Sequence, residues 1–353
     1  MAIRNAADIS VVTQGLYQVP IKIKTEENQY SYLRDVLFGG PSVSSNLDYI
    51  VMDYESLGVP LAKEAIKGAD PTRVNYGTPF NEKAIFGMYF NDEDEVNEGQ
   101  ADNRVSMEEP LDNPWSLEER MIYLLSKKRD RIAASQAQSF EKACADVLLS
   151  GQVAVKNGGT QVFPMTTSLL SVTGSGLATD PIGTLLAGIK MINKKKGGRP
   201  TTLVMNPDDA AAFLQLSAIK DLLDNRRIFG NEVEYKAMEE SGAAYCGSIN
   251  LPGTGTVKIV SYYGNYDVAG TPTYYIPAGK AVLCPDRVGR KGYCGVFLDN
   301  GTFSGKAAAE FGTHIWRKEG PVPYTTHVQV QSAPIPMLTA IDRYCVFTGI
   351  SFS

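Results

Sequence analysis

Residues 116–151 read SLEERMIYLLSKKRDRIAASQAQSFEKACADVLLSG. Ser116 and Glu119 make an S-x-x-E capping box shortly after Pro114, so two otherwise unpaired backbone donors are satisfied at a helix start. Leu117, Met121, Leu124, Leu125, Ile132, Phe140, Cys144, Val147 and Leu148 then recur at roughly helical spacing. No Gly or Pro interrupts until Gly151, a residue suited to the left-handed position that ends a helix. The stretch predicts one helix of about 34 residues, a rod roughly 50 Å long. Its middle, Lys127-Lys-Arg-Asp-Arg131, is charged, and Ala133, Ala134 and Ala137 are small. Such a helix suits lying across a sheet, or against a neighbouring subunit, better than sinking into a core.

The chain on either side differs in character. Residues 1–45 hold a short extended piece at Val19–Lys24 and a short helical one at Tyr30–Phe38, closed by Gly39-Gly40-Pro41. They carry enough apolar groups to dock as an arm and too few to fold alone. Leu47–Tyr54 reads as a strand. Residues 60–115 are broken by Gly, Pro and acidic punctuation, which predicts a long loop carrying its own hairpin.

Beyond Gly151, Asp180-Pro181 opens a helix with one apolar face at Ile182, Leu185, Leu186, Ile189 and Ile192. Thr201–Met205 reads as a fully buried strand. Asn206-Pro207 starts another helix, Ala218–Asn225 a further one, and Val257–Tyr263 and Lys280–Leu283 are strands. Residues 180–300 thus predict a compact α/β unit. His314–Trp316, Thr325–Val330 and Arg343–Phe347 are strand-like, so a sheet should close on the long helix late, through non-local contacts. Between them lies Val328–Leu338, VQVQSAPIPML. Its Pro334 and Pro336 remove two backbone donors that a central strand cannot spare, and the segment reads as a stiffened strand end that closes the fold.

Composition excludes several functions. The 353 residues carry a net charge of −5, the wrong sign for a dedicated nucleic-acid binder. Lys194-Lys195-Lys196 suits the C-terminal turn of a helix instead. Five widely spaced cysteines without a CxxC pair predict free, buried thiols in a reducing compartment. No apolar run is long enough to span a membrane. The two histidines, His314 and His327, sit in strand contexts without a nucleophile elbow or a helical His pair. Gly174-Ser-Gly176 lacks a phosphate-loop frame. Asp92, Glu93, Asp94 and Glu95 resemble the start of a calcium loop but lack its glycine and oxygen spacing; they read as a solvated loop tip. Arg226 and Arg227 form a basic patch that could meet that tip on a partner copy, so these six residues are the candidate inter-subunit contacts. The 18 tyrosines, clustered at Tyr262-Tyr263, Tyr266 and Tyr274-Tyr275, suit a β-rich core or an interface. An arm, a long hairpin loop and an exposed helix make sense if the partners are other copies.

Four collinear stretches resemble major capsid proteins of the phage lambda type. Gln331–Leu338 is similar to their C-terminal segment. Leu203-Val-Met-Asn-Pro-Asp208 through Leu223-Asp-Asn-Arg-Arg227 looks like the strand–helix–helix of their axial domain. Pro277-Ala-Gly-Lys-Ala-Val-Leu283 through Gly292-Tyr-Cys-Gly295 looks like a later strand pair, and Tyr32-Leu-Arg-Asp-Val-Leu-Phe38 resembles the N-arm. The resemblance covers most of the chain, more loosely at 1–30 and 85–115.

It implies the α+β capsid fold of tailed double-stranded DNA phages. The N-arm would be 1–50 and the extended loop (E-loop) 60–115. The peripheral domain would be 51–59, 116–179 and 301–353, with a spine helix at about 117–150, and the axial domain 180–300. The implied role is a structural head-shell protein that forms pentameric and hexameric capsomers of an icosahedral shell in the virion, assembled in the host cytoplasm. The shell would enclose double-stranded DNA without sequence-specific binding. The implied partners are further copies, a separate scaffolding protein, a decoration (cement) protein and a portal. No catalytic residue, cofactor or metal is expected. The alternatives are another particle protein, either a connector or a tail tube, the tube being opposed by the long helix, and a capsid-maturation hydrolase, which the missing nucleophile-and-base context opposes.

Overall fold

The computed structural model describes residues 30–55, 80–102, 115–155, 159–163, 169–195, 197–224, 241–299, 304–308, 312–318, 325–339 and 341–352. It is organised on the long helix, α1 (Leu117–Ser150). The Ser116 hydroxyl accepts from the Glu119 N–H at 3.3 Å, and the Glu119 carboxylate accepts from the Ser116 N–H at 2.7 Å. Gly151 ends the helix at φ +70°. Burial is confined to the second half, from Gln136 through Phe140, Glu141, Cys144 and Leu148, whereas Leu117 and Ile122 near the start remain exposed.

Two small sheets receive the buried half. In the first, β18 (Thr325–Ser332) lies antiparallel between β17 (Gly312–Lys318) and β4 (Phe90–Asn97). Val96, Val328 and Val330 are buried, and α1 packs against β4 and β18. In the second, β14 (Gly289–Tyr293) lies between β1 (Gly40–Ser44), parallel to it, and β19 (Pro334–Leu338), antiparallel to it. Three two-stranded ribbons attach to this body. They are β2 (Tyr49–Glu55) with β3 (Phe80–Phe86), β5 (Gln152–Val155) with β6 (Gly159–Val162), and β15 (Gly295–Asp299) with β16 (Ser304–Ala308).

The α/β unit is a six-stranded sheet in the order β7 (Ser171–Thr173), β20 (Cys345–Thr348), β13 (Lys280–Cys284), β8 (Thr202–Met205), β10 (Gly255–Tyr262), β9 (Ala243–Leu251). A ribbon of β11 (Asn265–Val268) and β12 (Thr271–Tyr274) extends from it. Helices α2 (Pro181–Lys194), α3 (Pro207–Gln215) and α4 (Ser217–Asp224) accompany the sheet. Alternation along its central strands separates two cores. Val204, Val282 and Val346 join Phe140, Leu148 and Leu338 in one. Leu203, Leu283 and Phe347 join Leu185, Ile189 and Phe213 in the other. Both faces of the sheet are covered, which is why β8 is buried throughout rather than alternating.

Several expectations change. Asp92–Glu95 are not a loop tip; they form the middle of β4, paired along its length with β18. Alternation explains this, because Asp92, Asp94 and Val96 share the face toward α1 and leave Glu93 and Glu95 on the other. The last strand, β20, joins the α/β sheet rather than the sheets on α1, while β14, inside 180–300, leaves that unit to pair with β1 and β19. Strand β9 has no counterpart in the sequence reading. The Val19–Lys24 piece, most of residues 60–115, and Arg226 and Arg227 lie outside the described residues.

Pro334 opens β19 and Pro336 lies in its middle, and register explains their tolerance. The Cys294 N–H donates to the Ala333 carbonyl at 2.9 Å, and the Thr339 N–H to the Val288 carbonyl at 3.1 Å. Odd-numbered residues of β19 therefore face β14, and even-numbered ones face away. The prolines lack only donors the ladder does not use. On the far side the Pro334 carbonyl accepts from the Met88 N–H at 3.0 Å.

Candidate functional site

The feature that unites the elements is a buried carboxylate on α1. Glu141 is wholly inaccessible to solvent. Its Oε1 accepts from the Leu33 N–H at 2.8 Å and from the Tyr262 hydroxyl at 2.6 Å, and its Oε2 accepts from the Arg34 N–H at 2.8 Å. Leu33 and Arg34 open a short π-helical turn, Leu33–Leu37, whose first N–H groups have no partner of their own. One side chain thus ties the arm to the long helix and to β10. Burial drives the Glu141 carboxyl up to about 7, against the pull of its three donors and of the Arg34 guanidinium.

The rest of the segment is held as firmly. The Ser31 N–H donates to the Ser241 carbonyl at 3.2 Å, and the Val288 N–H to the Leu37 carbonyl at 2.7 Å. Leu33, Leu37 and Phe38 are fully buried. Gly242, at φ +81°, lies so close to the Tyr30 ring that a Cβ there would run into it. Asp35 bonds Arg34 and Lys291, each at 3.0 Å. Burial alone would raise the Asp35 carboxyl, but these two cations outweigh it and hold it at about 2. Tyr32, Tyr262, Tyr275 and Tyr266 form a continuous ring stack beside the carboxylate, with centroids 5.2–6.2 Å apart. Much of the tyrosine cluster is therefore internal.

The acidic strand is also committed within the chain. Asp94 pairs with Lys128 of α1 at 2.9 Å, and Asp92 accepts from Gln136 at 2.8 Å. Gln136 also donates to the Val330 carbonyl and accepts from the Ser332 hydroxyl. On the outer face Glu93 lies 2.5 Å from His327 Nδ1, and Glu95 lies 3.9 Å from Nε2. Of the six candidate contact residues the structure brings the four acidic ones into one strand. The sequence reading missed Glu141; its signal was a lone acidic residue between Phe140 and Ala143 on an otherwise apolar face.

Among the described residues no cluster of His, Cys, Asp and Glu could hold a metal, and all five cysteines are unpaired and buried. No helix among those residues is long and apolar enough to cross a membrane.

A long helix laid across strands from both ends of the chain, an arm pinned to it and a separate α/β sheet define the class of tailed-phage head-shell proteins. The chain belongs to the phage major capsid protein E family, whose model matches residues 17–348. It is a structural protein of the virion. Among solved structures it is similar to a proposed prophage capsid protein of E. coli CFT073, at 15% identity, TM-score 0.56, with 79% of this chain and 82% of that one covered. It also aligns with the capsid of a native GTA particle, at 10% identity, TM-score 0.48, with 99% and 100% covered. A protein of Mycobacterium phage Patience aligns at 12% identity, TM-score 0.46, with 99% and 86% covered. No curated protein matches by sequence.

Proposed function

We propose that copies of this chain form pentameric and hexameric capsomers of an icosahedral shell around double-stranded DNA, as the lambda-type resemblance implies. In this reading the arm is 1–50, the E-loop 60–115 and the axial domain, broadly, 180–300. The remainder is the peripheral domain, with β20 lent to the axial sheet. The observation that carries the reading is apolar surface that one copy leaves uncovered. Leu47, Val51, Phe86 and Tyr89 are 43–54% exposed around the β2–β3 ribbon, and Leu117 and Ile122 in the first turns of α1 are 46% and 58% exposed. Patches of this kind mark protein contacts, and in a shell subunit the natural cover is another copy.

The net charge of −5 suits a wall that repels the phosphates it encloses and leaves packaged DNA free to move. A separate scaffolding protein and a portal complete the assembly. Strand β4 has one edge unpaired among the described residues, which suits strand addition by a cement protein. Asp92 and Asp94 are spent on α1 and Glu93 on His327, so Glu95 is the carboxylate left to face Arg226 and Arg227 of a neighbour.

Assembly of purified variants, followed by sedimentation, tests this. Phe86→Lys with Val51→Lys should leave soluble subunits of unchanged circular dichroism that do not form particles. Glu95→Lys should weaken assembly in a salt-dependent way. Normal yields of particles from both would remove these surfaces from the interface.

A further inference from the structure

We propose that residues 30–38 and Glu141 form a proton-sensitive latch, in which the arm docks between α1 and β10 more tightly when the carboxyl carries a proton. The inference concerns the fold of one copy and does not rest on the shell reading. Its geometry is specific. The only side-chain acceptor for the first two N–H groups of the arm's helical turn is one inaccessible carboxyl. Undocking the arm would open that carboxyl to water and strip it of both backbone donors. Its protonation and its docking are therefore linked.

The charged and titratable neighbours are few. Arg34 and Asp35 approach from the arm, Tyr262 from β10, Tyr275 from the link after β12, Lys291 and Tyr293 from β14, and Cys144 from α1 itself. Asp35, held near 2, stays ionised throughout the relevant range. Tyr262, Tyr275 and the Cys144 thiol are pushed up by burial, away from it. Glu141 is the member of the group left to change charge.

The sign follows from linkage. Docked, the carboxyl titrates at about 7; undocked and hydrated, it returns to its ordinary value of 4.5. Between these values only the docked state holds the proton. Docking is then strongest below 4.5, weakens as pH rises through this window, and levels off above 7. Three donors keep the ionised form paired, so the arm loosens rather than being expelled.

Hydrogen–deuterium exchange on the full-length chain, corrected for the intrinsic pH dependence of exchange, reads this directly. Protection of peptides covering 31–38 should fall roughly fiftyfold between pH 5 and pH 7.5. In Glu141→Gln the change should be less than about threefold. If that variant fails to fold, Tyr262→Phe serves instead: it removes a donor that favours the ionised form, so the transition should move to higher pH. Peptides from β17 and β18, which carry both histidines, are the internal control. Flat protection of 31–38 in the native chain, an unchanged slope in Glu141→Gln, or an unmoved transition in Tyr262→Phe would overturn the latch.

Discussion

Pro334 and Pro336 show how one residue type can be both wrong and right for a strand. They would break a ladder at odd positions of β19, yet at even positions they remove nothing, because those backbone groups face away from β14. Ile335 stands opposite Gly292 and does face β14. Ile335→Pro should therefore destabilise the chain by about 2 kcal/mol more than Ile335→Ala, since it also leaves a buried carbonyl without its donor. Equal melting curves for the two variants would mean the register is different. That proline mattered here was legible in the sequence. Which backbone edge it left unpaired was not, because edge assignment depends on a partner some 40 residues away. Glu141 illustrates the same limit. A single carboxylate in an apolar helix face looks like a solvated interruption until the arm and Tyr262 are brought to it from 107 and 121 positions distant.

Local signals in the elements translated well. The capping box, the αL glycine and the Asn206-Pro207 and Asp180-Pro181 starts all act over four residues, and each lies where the sequence placed it. The acidic run misled because polarity alone was taken for a loop: Asp92, Glu93 and Glu95 are exposed, yet all four residues lie in a strand. Asp92 and Asp94 face α1 and are matched there by Gln136 and Lys128, two side chains in the helix's polar middle. Gln136 is the more consequential of the two, being buried and bonded to two elements of one sheet. Gln136→Leu should destabilise by about 2 kcal/mol, because the Ser332 hydroxyl and the Val330 carbonyl lose their partner away from water. Lys128→Ala should change stability by less than about 1 kcal/mol, its partner being half exposed. Chemical denaturation of both variants ranks them, and the reverse order would show that the ion pair, not the buried amide, holds the strand.

At the scale of the molecule the long helix and most strands and helices of the α/β sheet were legible, while the strand exchange between sheets was not. Strand β20 crosses into the six-stranded sheet and β14 crosses out of it; both are short, and β14, Gly289-Arg-Lys-Gly-Tyr293, carries too little apolar pattern to name its partner. Each unit thereby completes the other, and the C-terminal segment closes both. The described residues keep two buried cores within one copy and leave apolar side chains exposed on the ribbon and the first turns of α1. The central claim is that these surfaces join copies into a closed shell. Electron cryomicroscopy of particles assembled from the full-length chain tests it most directly. The account predicts closed, thin-walled shells with five- and six-fold capsomers, in which the β2–β3 ribbon and the first half of α1 are covered by neighbouring copies. Open tubes, or shells that leave both surfaces bare, would contradict it.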